Sequence, residues 1–204
     1  MRGLLMKDFY TLAKQLKLVL AFLAVMVIIP GINKSAFAMI YFAMMPITAL
    51  AYDERSKWDS LAAMMPYSAK DIVLSKYLLG YIGMGAAGVL SFVANAIVQL
   101  FKHSPVTMED TLTILLIMCV GLILLAFNLP FIFKLGVEKG RIIFLIIIAV
   151  TVFAMMMAGD KIKLLLEYNF MQPALLTAAA VFIAVLVNVV SLSISNSFYK
   201  KKAF

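Results

Sequence analysis

The stretch YDERSKWDSLAAMMPYSAKDIVLSKYLL, Tyr52 to Leu79, decides how this chain is organised. Eight of its residues are charged, it holds the sole tryptophan, and an apolar run lies on either side. Within it Trp58, Leu61, Ala62 and Met65 recur at i, i+3, i+4 and i+7, the spacing of one face of a short amphipathic helix of about three turns. Pro66 ends that helix, because the residue before a proline is pushed out of the α region. Ser68-Ala-Lys-Asp71 then has the pattern of a capping box, with Asp as the shorter variant of the usual Glu or Gln. A new helix is therefore expected from about Ala69, entering a bilayer near Tyr77. Residues 53–76 read as helix, break and newly capped helix, an element held rigidly below a membrane.

The flanks supply the membrane. The chain has 204 residues, 65% of them hydrophobic and 14% charged, with a mean hydropathy of +1.04. Soluble domains are about a quarter charged, so the fold class is an all-α integral membrane protein in one domain, 1–204. Six spans are expected: Leu18–Ile32, Ala36–Tyr52, Tyr77–Phe101, Leu112–Phe133, Ile142–Ala158 and Ala174–Ile194. Each is near the ~20 residues that cross a bilayer as helix, and no period-2 pattern suggests a barrel. No cleavable leader is expected, since Asp8, Lys14 and Lys17 come before any apolar run.

Fourteen of the eighteen Lys and Arg residues fall before the first span, between spans two and three, between four and five, and after six. Lys34, Lys102, Lys161 and Lys163 are on the other side. This split places both termini in the cytoplasm. The net charge of +8 is then explained by cytoplasmic loops facing anionic lipid, not by nucleic acid. The outer segments 33–35, 102–111 and 159–173 leave no room for an external domain.

In MRGLLMKDFYTLAKQLK, residues 1–17, Leu5, Phe9, Leu12 and Leu16 share one helical face with Lys7 and Lys14 opposite. That is the pattern of a basic amphipathic helix lying in the cytoplasmic interface. Within the spans Asn95, Gln99, Asn128, Asn188 and Ser191 either hydrogen-bond between helices or line a path. Gly83, Ala87 and Ser91 form a small-residue face that lets another helix come close. Pro46 and Pro130 stand where they could kink their spans. Cys119 reads as a small lipid- or core-facing residue, His103 as an outer-loop residue, and the 15 methionines as adaptable packing without a Met-x-x-Met ladder.

Catalytic patterns are missing. Gly136-Val-Glu-Lys-Gly140-Arg lacks the spacing and the Lys-Ser/Thr ending of a nucleotide-binding loop. No carboxylate lies in mid-span, where ion-coupled carriers and intramembrane proteases keep charged groups.

MRGLLMKDFYTLAKQ, followed by a span and then by YDERSKWDSLAAMMPYSAKDIVLSKYLLG, resembles the permease subunits of ATP-binding-cassette exporters of the type 2 class. The likeness is to their short six-span bacterial branch, which has Lys-Asp-Phe near its start. There an acidic pair and Lys-Trp follow span two, and Pro-x-Ser precedes Lys-Tyr-Leu-Leu-Gly. The resemblance implies a bacterial plasma-membrane permease that pairs with a second permease chain. It implies no cofactor on this chain, with ATP and Mg on a separate cytoplasmic ATPase subunit that docks on the segment between spans two and three. The docking residues expected here are Glu54, Lys57, Trp58, Leu61 and Met65. The scarcity of buried charge favours an amphipathic or hydrophobic cargo, and the resemblance implies one that is peptide-like. The alternative is a membrane scaffold or regulator that recruits a cytoplasmic partner through the same loop without transport.

Overall fold

The computed structural model describes residues 2–28, 34–62, 64–101, 103, 105, 107–167 and 173–203. Among these every regular element is helical: α1 (Arg2–Ile28), α2 (Lys34–Ala43), α3 (Met45–Arg55), α4 (Trp58–Ala62), α5 (Ala69–Phe101), α6 (Met108–Leu135), α7 (Val137–Glu167) and α8 (Pro173–Ala203). Four stretches among the described residues are long and apolar enough to cross a bilayer: Ser35–Arg55, Ala69–Phe101, Met108–Leu135 and Leu175–Lys201. They correspond to the second, third, fourth and sixth expected spans. The first and fifth fall in α1 and α7, of which only the backbone is described beyond residues 21 and 157 respectively. Residues 29–32 of the first expected span lie outside the described residues.

Several boundaries follow from local chemistry. Proline has no N–H to donate, and Pro46 accordingly stands just past a break in the second span. Met44 makes a single turn there, its N–H donating to Tyr41 O at 3.0 Å, before α3 begins. Pro130, by contrast, lies inside α6, which continues to Leu135. The start of α5 at Ala69 is where the capping box puts it: Asp71 N–H donates to Ser68 Oγ at 3.2 Å, and Ser68 N–H returns to Asp71 Oδ2 at 3.2 Å. Thr107 and Asp110 make a second such box, so α6 begins earlier than the expected span.

Three expectations are corrected. The helix after Trp58 is five residues long, not three turns. It ends at Ala62, and Met64 and Met65 form turns that donate back to Leu61 O and Ala62 O at 3.1 Å. The outer segment 159–173 is helical as far as Glu167. The inner connection between the fourth and fifth spans shrinks to one residue, Gly136, whose φ of 85° is a backbone state that L side chains rarely adopt. Residues 2–17 and 18–28 form one uninterrupted helix, α1.

α8 packs most extensively on α6, and α5 is wedged among α2, α6, α8 and α1. The expected small-residue face of α5 is buried: a Cβ on Gly83 would stand 3.1 Å from Met45 Sδ and 3.5 Å from Phe42, so glycine there lets the second span lie close. Cys119 is in the interior, 2% exposed. The start of α1, the end of α3, the start of α5 and the α6–α7 turn all meet at one end of the bundle. Arg55 at the end of α3, Lys70 and Lys76 at the start of α5, Lys134 at the end of α6 and Arg141 near the start of α7 also lie toward that end.

Candidate functional site

A closed ring of two lysines and two aspartates sits at this end. Lys7 Nζ pairs with Asp53 Oδ1 and lies 3.2 Å from Asp8 Oδ1. Lys76 Nζ lies 2.8 Å from both carboxylate oxygens of Asp8 and 2.6 Å from Asp53 Oδ2. Each lysine thus touches both aspartates, and the ring joins α1, α3 and α5. Lys76 and Asp8 are almost wholly buried, Asp53 nearly so, and Lys7 closes the ring toward the outside. Four alternating charges satisfy one another at no net charge. Removing one leaves an uncompensated buried ion, which costs about 3–5 kcal/mol.

The loop is fastened to this ring. The Trp58 ring lies beneath Lys7, whose ammonium is 4.1 Å from the ring centroid, a cation–π contact. Trp58 and Ala62 turn inward, Ala62 being buried. Leu61 and Met65 turn outward, 48% and 40% exposed, and Met64 between the helix and Pro66 is 85% exposed. The expected docking residues therefore divide. Trp58 faces the ring. Glu54 Oε2 accepts a hydrogen bond from Val137 N–H at 3.1 Å, capping the start of α7. Lys57, Leu61 and Met65 are on the free surface. Lys57 itself has φ 52° at the turn from α3 into α4.

Above the ring a ladder of hydroxyls and amides binds α5, α6 and α8. Pro130 cannot donate to the carbonyl four residues back, Ala126 O, and Ser191 Oγ on α8 donates to that oxygen instead. With its proton so used, Ser191 accepts from Tyr77 OH at 2.5 Å, and Tyr77 in turn accepts from Ser195 at 2.8 Å. One turn further along α5, Tyr81 OH donates to Asn188 Oδ1 at 3.1 Å. The Asn188 amide donates to Leu122 O at 3.2 Å and Ala184 O at 2.8 Å. Tyr77 follows Lys76 directly in α5, so ring and ladder are adjoining parts of one helix.

A family model described as ABC-2 family transporter protein matches residues 3–200. The chain belongs to that family. It is a permease, a multi-pass membrane component of a transporter. No curated protein and no solved structure gives a significant match.

In the permease the residues expected to pack helices or line a path behave differently from one another. Asn188 is an interhelical link. Gln99 Nε2 donates to Asp110 Oδ2 at 2.6 Å, tying the far end of α5 to the start of α6. Asn95 is half-buried. Asn128 is 1% exposed with neither side-chain polar atom bonded. On α1, Leu12 is buried, and Leu5, Phe9 and Leu16 pack against the core, so the predicted apolar face covers protein. Lys7, placed opposite that face by helical periodicity, is only 24% exposed because its long stem carries the ammonium round to Asp53. The ring itself does not follow from the sequence pattern. The available signal was Asp8, which at 100° per residue stands about 70° from the middle of the apolar face, an expensive place for an unpaired acid.

Proposed function

We propose that this permease is the membrane half of an ATP-driven exporter. It has six spans with both termini on the cytoplasmic side of a bacterial plasma membrane. A second permease chain stands across from it, and separate ATPase subunits hold ATP and Mg. The outward surface of Leu61, Met64 and Met65, with Lys57, is the ATPase dock; exposed methionine and leucine at a loop apex suit such a contact. The first half of α1 lies at the interface, with Met6 and Tyr10, 61% and 77% exposed, toward headgroups. The cargo is amphipathic or hydrophobic and peptide-like, in keeping with the lack of a mid-span carboxylate.

The observation that carries this reading is the ion ring beneath the spans. A push on the apex reaches α1, α3 and α5 together, because Trp58 is stacked on Lys7 and Lys7 is paired to Asp53. The test is co-expression with the partner ATPase, followed by reconstitution in lipid nanodiscs. Leu61→Ser with Met64→Ser is expected to release the ATPase while the melting temperature of the permease stays put. If the ATPase remains bound and turns over as before, the apex is not the dock. If ATPase turnover ignores even the wild-type permease, the chain is a recruiting scaffold.

A further inference from the structure

We propose that the cavity between α1, the α2–α3 break and the start of α7 binds the phosphate head of an anionic amphiphile, with Arg141 as its counter-charge. The cavity holds about 200 Å3. Its wall is built from Leu12 and Leu16 of α1 and Met45 of α3. Tyr41, Thr48 and Arg141 supply polar groups. The break at Met44, set by Pro46, keeps α2 and α3 from filling the space as a continuous helix would.

The chemistry of the lining selects the ligand. Arg141 stays charged at any physiological pH and presents a planar fork of donors suited to phosphate. No Asp or Glu lines the cavity, and the ion pairs among the described residues all belong to the Lys7–Asp8–Asp53–Lys76 ring. A purely hydrophilic anion would leave the half-buried Leu16 and Met44 of the lining facing water, whereas a head with an apolar tail covers both kinds of surface. The size agrees: sites that enclose a whole small molecule run to roughly 300–1,000 Å3, so this one takes a head and the first carbons. The tail leaves between α1 and α7, each of which packs on α3. Arg141 is the fifth residue of α7, at the end of the bundle that carries the ring, where a headgroup would lie. The proposal does not rest on the export reading, since it needs this chain alone.

The test is thermal unfolding of the purified full chain in neutral detergent with added phosphatidylglycerol, phosphatidylcholine or inorganic phosphate. Phosphatidylglycerol is expected to raise Tm in a concentration-dependent way, and phosphatidylcholine is not. Arg141→Gln should need on the order of tenfold more phosphatidylglycerol for the same rise, the value of one charge-assisted hydrogen bond. Arg141→Lys should keep part of the effect. Lys139→Gln, which removes an exposed cation outside the cavity, should keep all of it. Equal responses of Arg141→Gln and wild type would overturn the site. So would a loss in Lys139→Gln as large as in Arg141→Gln, which would mark general surface attraction. An Arg141-dependent rise with inorganic phosphate alone would make the occupant a soluble anion and overturn the amphiphile.

Discussion

The two halves of α5 are held by different means. From Ile72 to Ser91 the helix is gripped on several sides: Lys76 by two carboxylates, Tyr77 and Tyr81 by α8, Gly83 by the second span. From Phe92 to Phe101 no residue is buried, and Leu100 and Phe101 are 74% and 84% exposed. One hydrogen bond, Gln99 to Asp110, ties that half to α6. The same helix is thus closely packed at the end that carries the ring and sparsely packed at the other. If the proposed dock is pushed, the gripped end of α5 would move together with its neighbours α1 and α3.

The contrast breaks most visibly at Lys76. Lys76→Met leaves Asp8 and Asp53 sharing Lys7, and should cost about 3–5 kcal/mol, read as a fall in the midpoint of denaturant or thermal unfolding in detergent. Next comes Ser191→Ala, which strips Ala126 O and Tyr77 OH of a partner at once. A loss of about 1–2 kcal/mol is expected. Pro130→Ala sharpens this case: the restored N–H bonds Ala126 O within α6, so Ser191→Ala should cost less in that background, a coupling that a double-mutant cycle measures. At the outer end Gln99→Ala should leave the unfolding midpoint where it is and only speed amide exchange near Phe101.

The smallest effect is at the caps. Ser68's hydroxyl, then its backbone N–H, hold the Asp71 carboxyl below the usual carboxylate range. The hydroxyl of Thr107 and the amide of Gln99 do the same for Asp110. A depressed folded value means that each cap contributes fully at neutral pH and fades as pH falls through that value. Protection of the amides in the first turns of α5 and α6, measured against their intrinsic exchange rates, should therefore fall selectively in acid, and Ser68→Ala at neutral pH should lower it in the first turn of α5 alone.

How much of this could be read from the residues depends on the range of the interaction. The capping box at Ser68 is a four-residue pattern, and it puts the start of α5 near Ala69, where the helix begins. The Gly83-Ala87-Ser91 face has a helical period and was equally legible. Asn188 and Ser191 stood out as polar groups in an apolar run, though their partners did not. The ring was hidden because Lys7 and Asp8, Asp53 and Lys76 come from three separate segments, and each looks like an ordinary charge near a span end. Pairing them needs the packing of α1 on α3 and α5. The short α4 departs from the periodicity because Met65 continues the apolar spacing of Trp58 and Leu61, while the ring of Pro66 would clash with the carbonyl four residues back, at Ala62, where the helix stops.

The central claim is that the ring carries motion from the loop to the spans. The direct measurement is permease-dependent ATP hydrolysis by the partner ATPase in nanodiscs, with Lys7→Met and Asp53→Leu combined. The pair is removed together, so Asp8 and Lys76 remain as a neutral couple and the double variant should melt closer to wild type than either single one. The account predicts a folded permease that still binds the ATPase but no longer stimulates it. Full stimulation by that variant would contradict it, and the ring would then be a structural clasp alone.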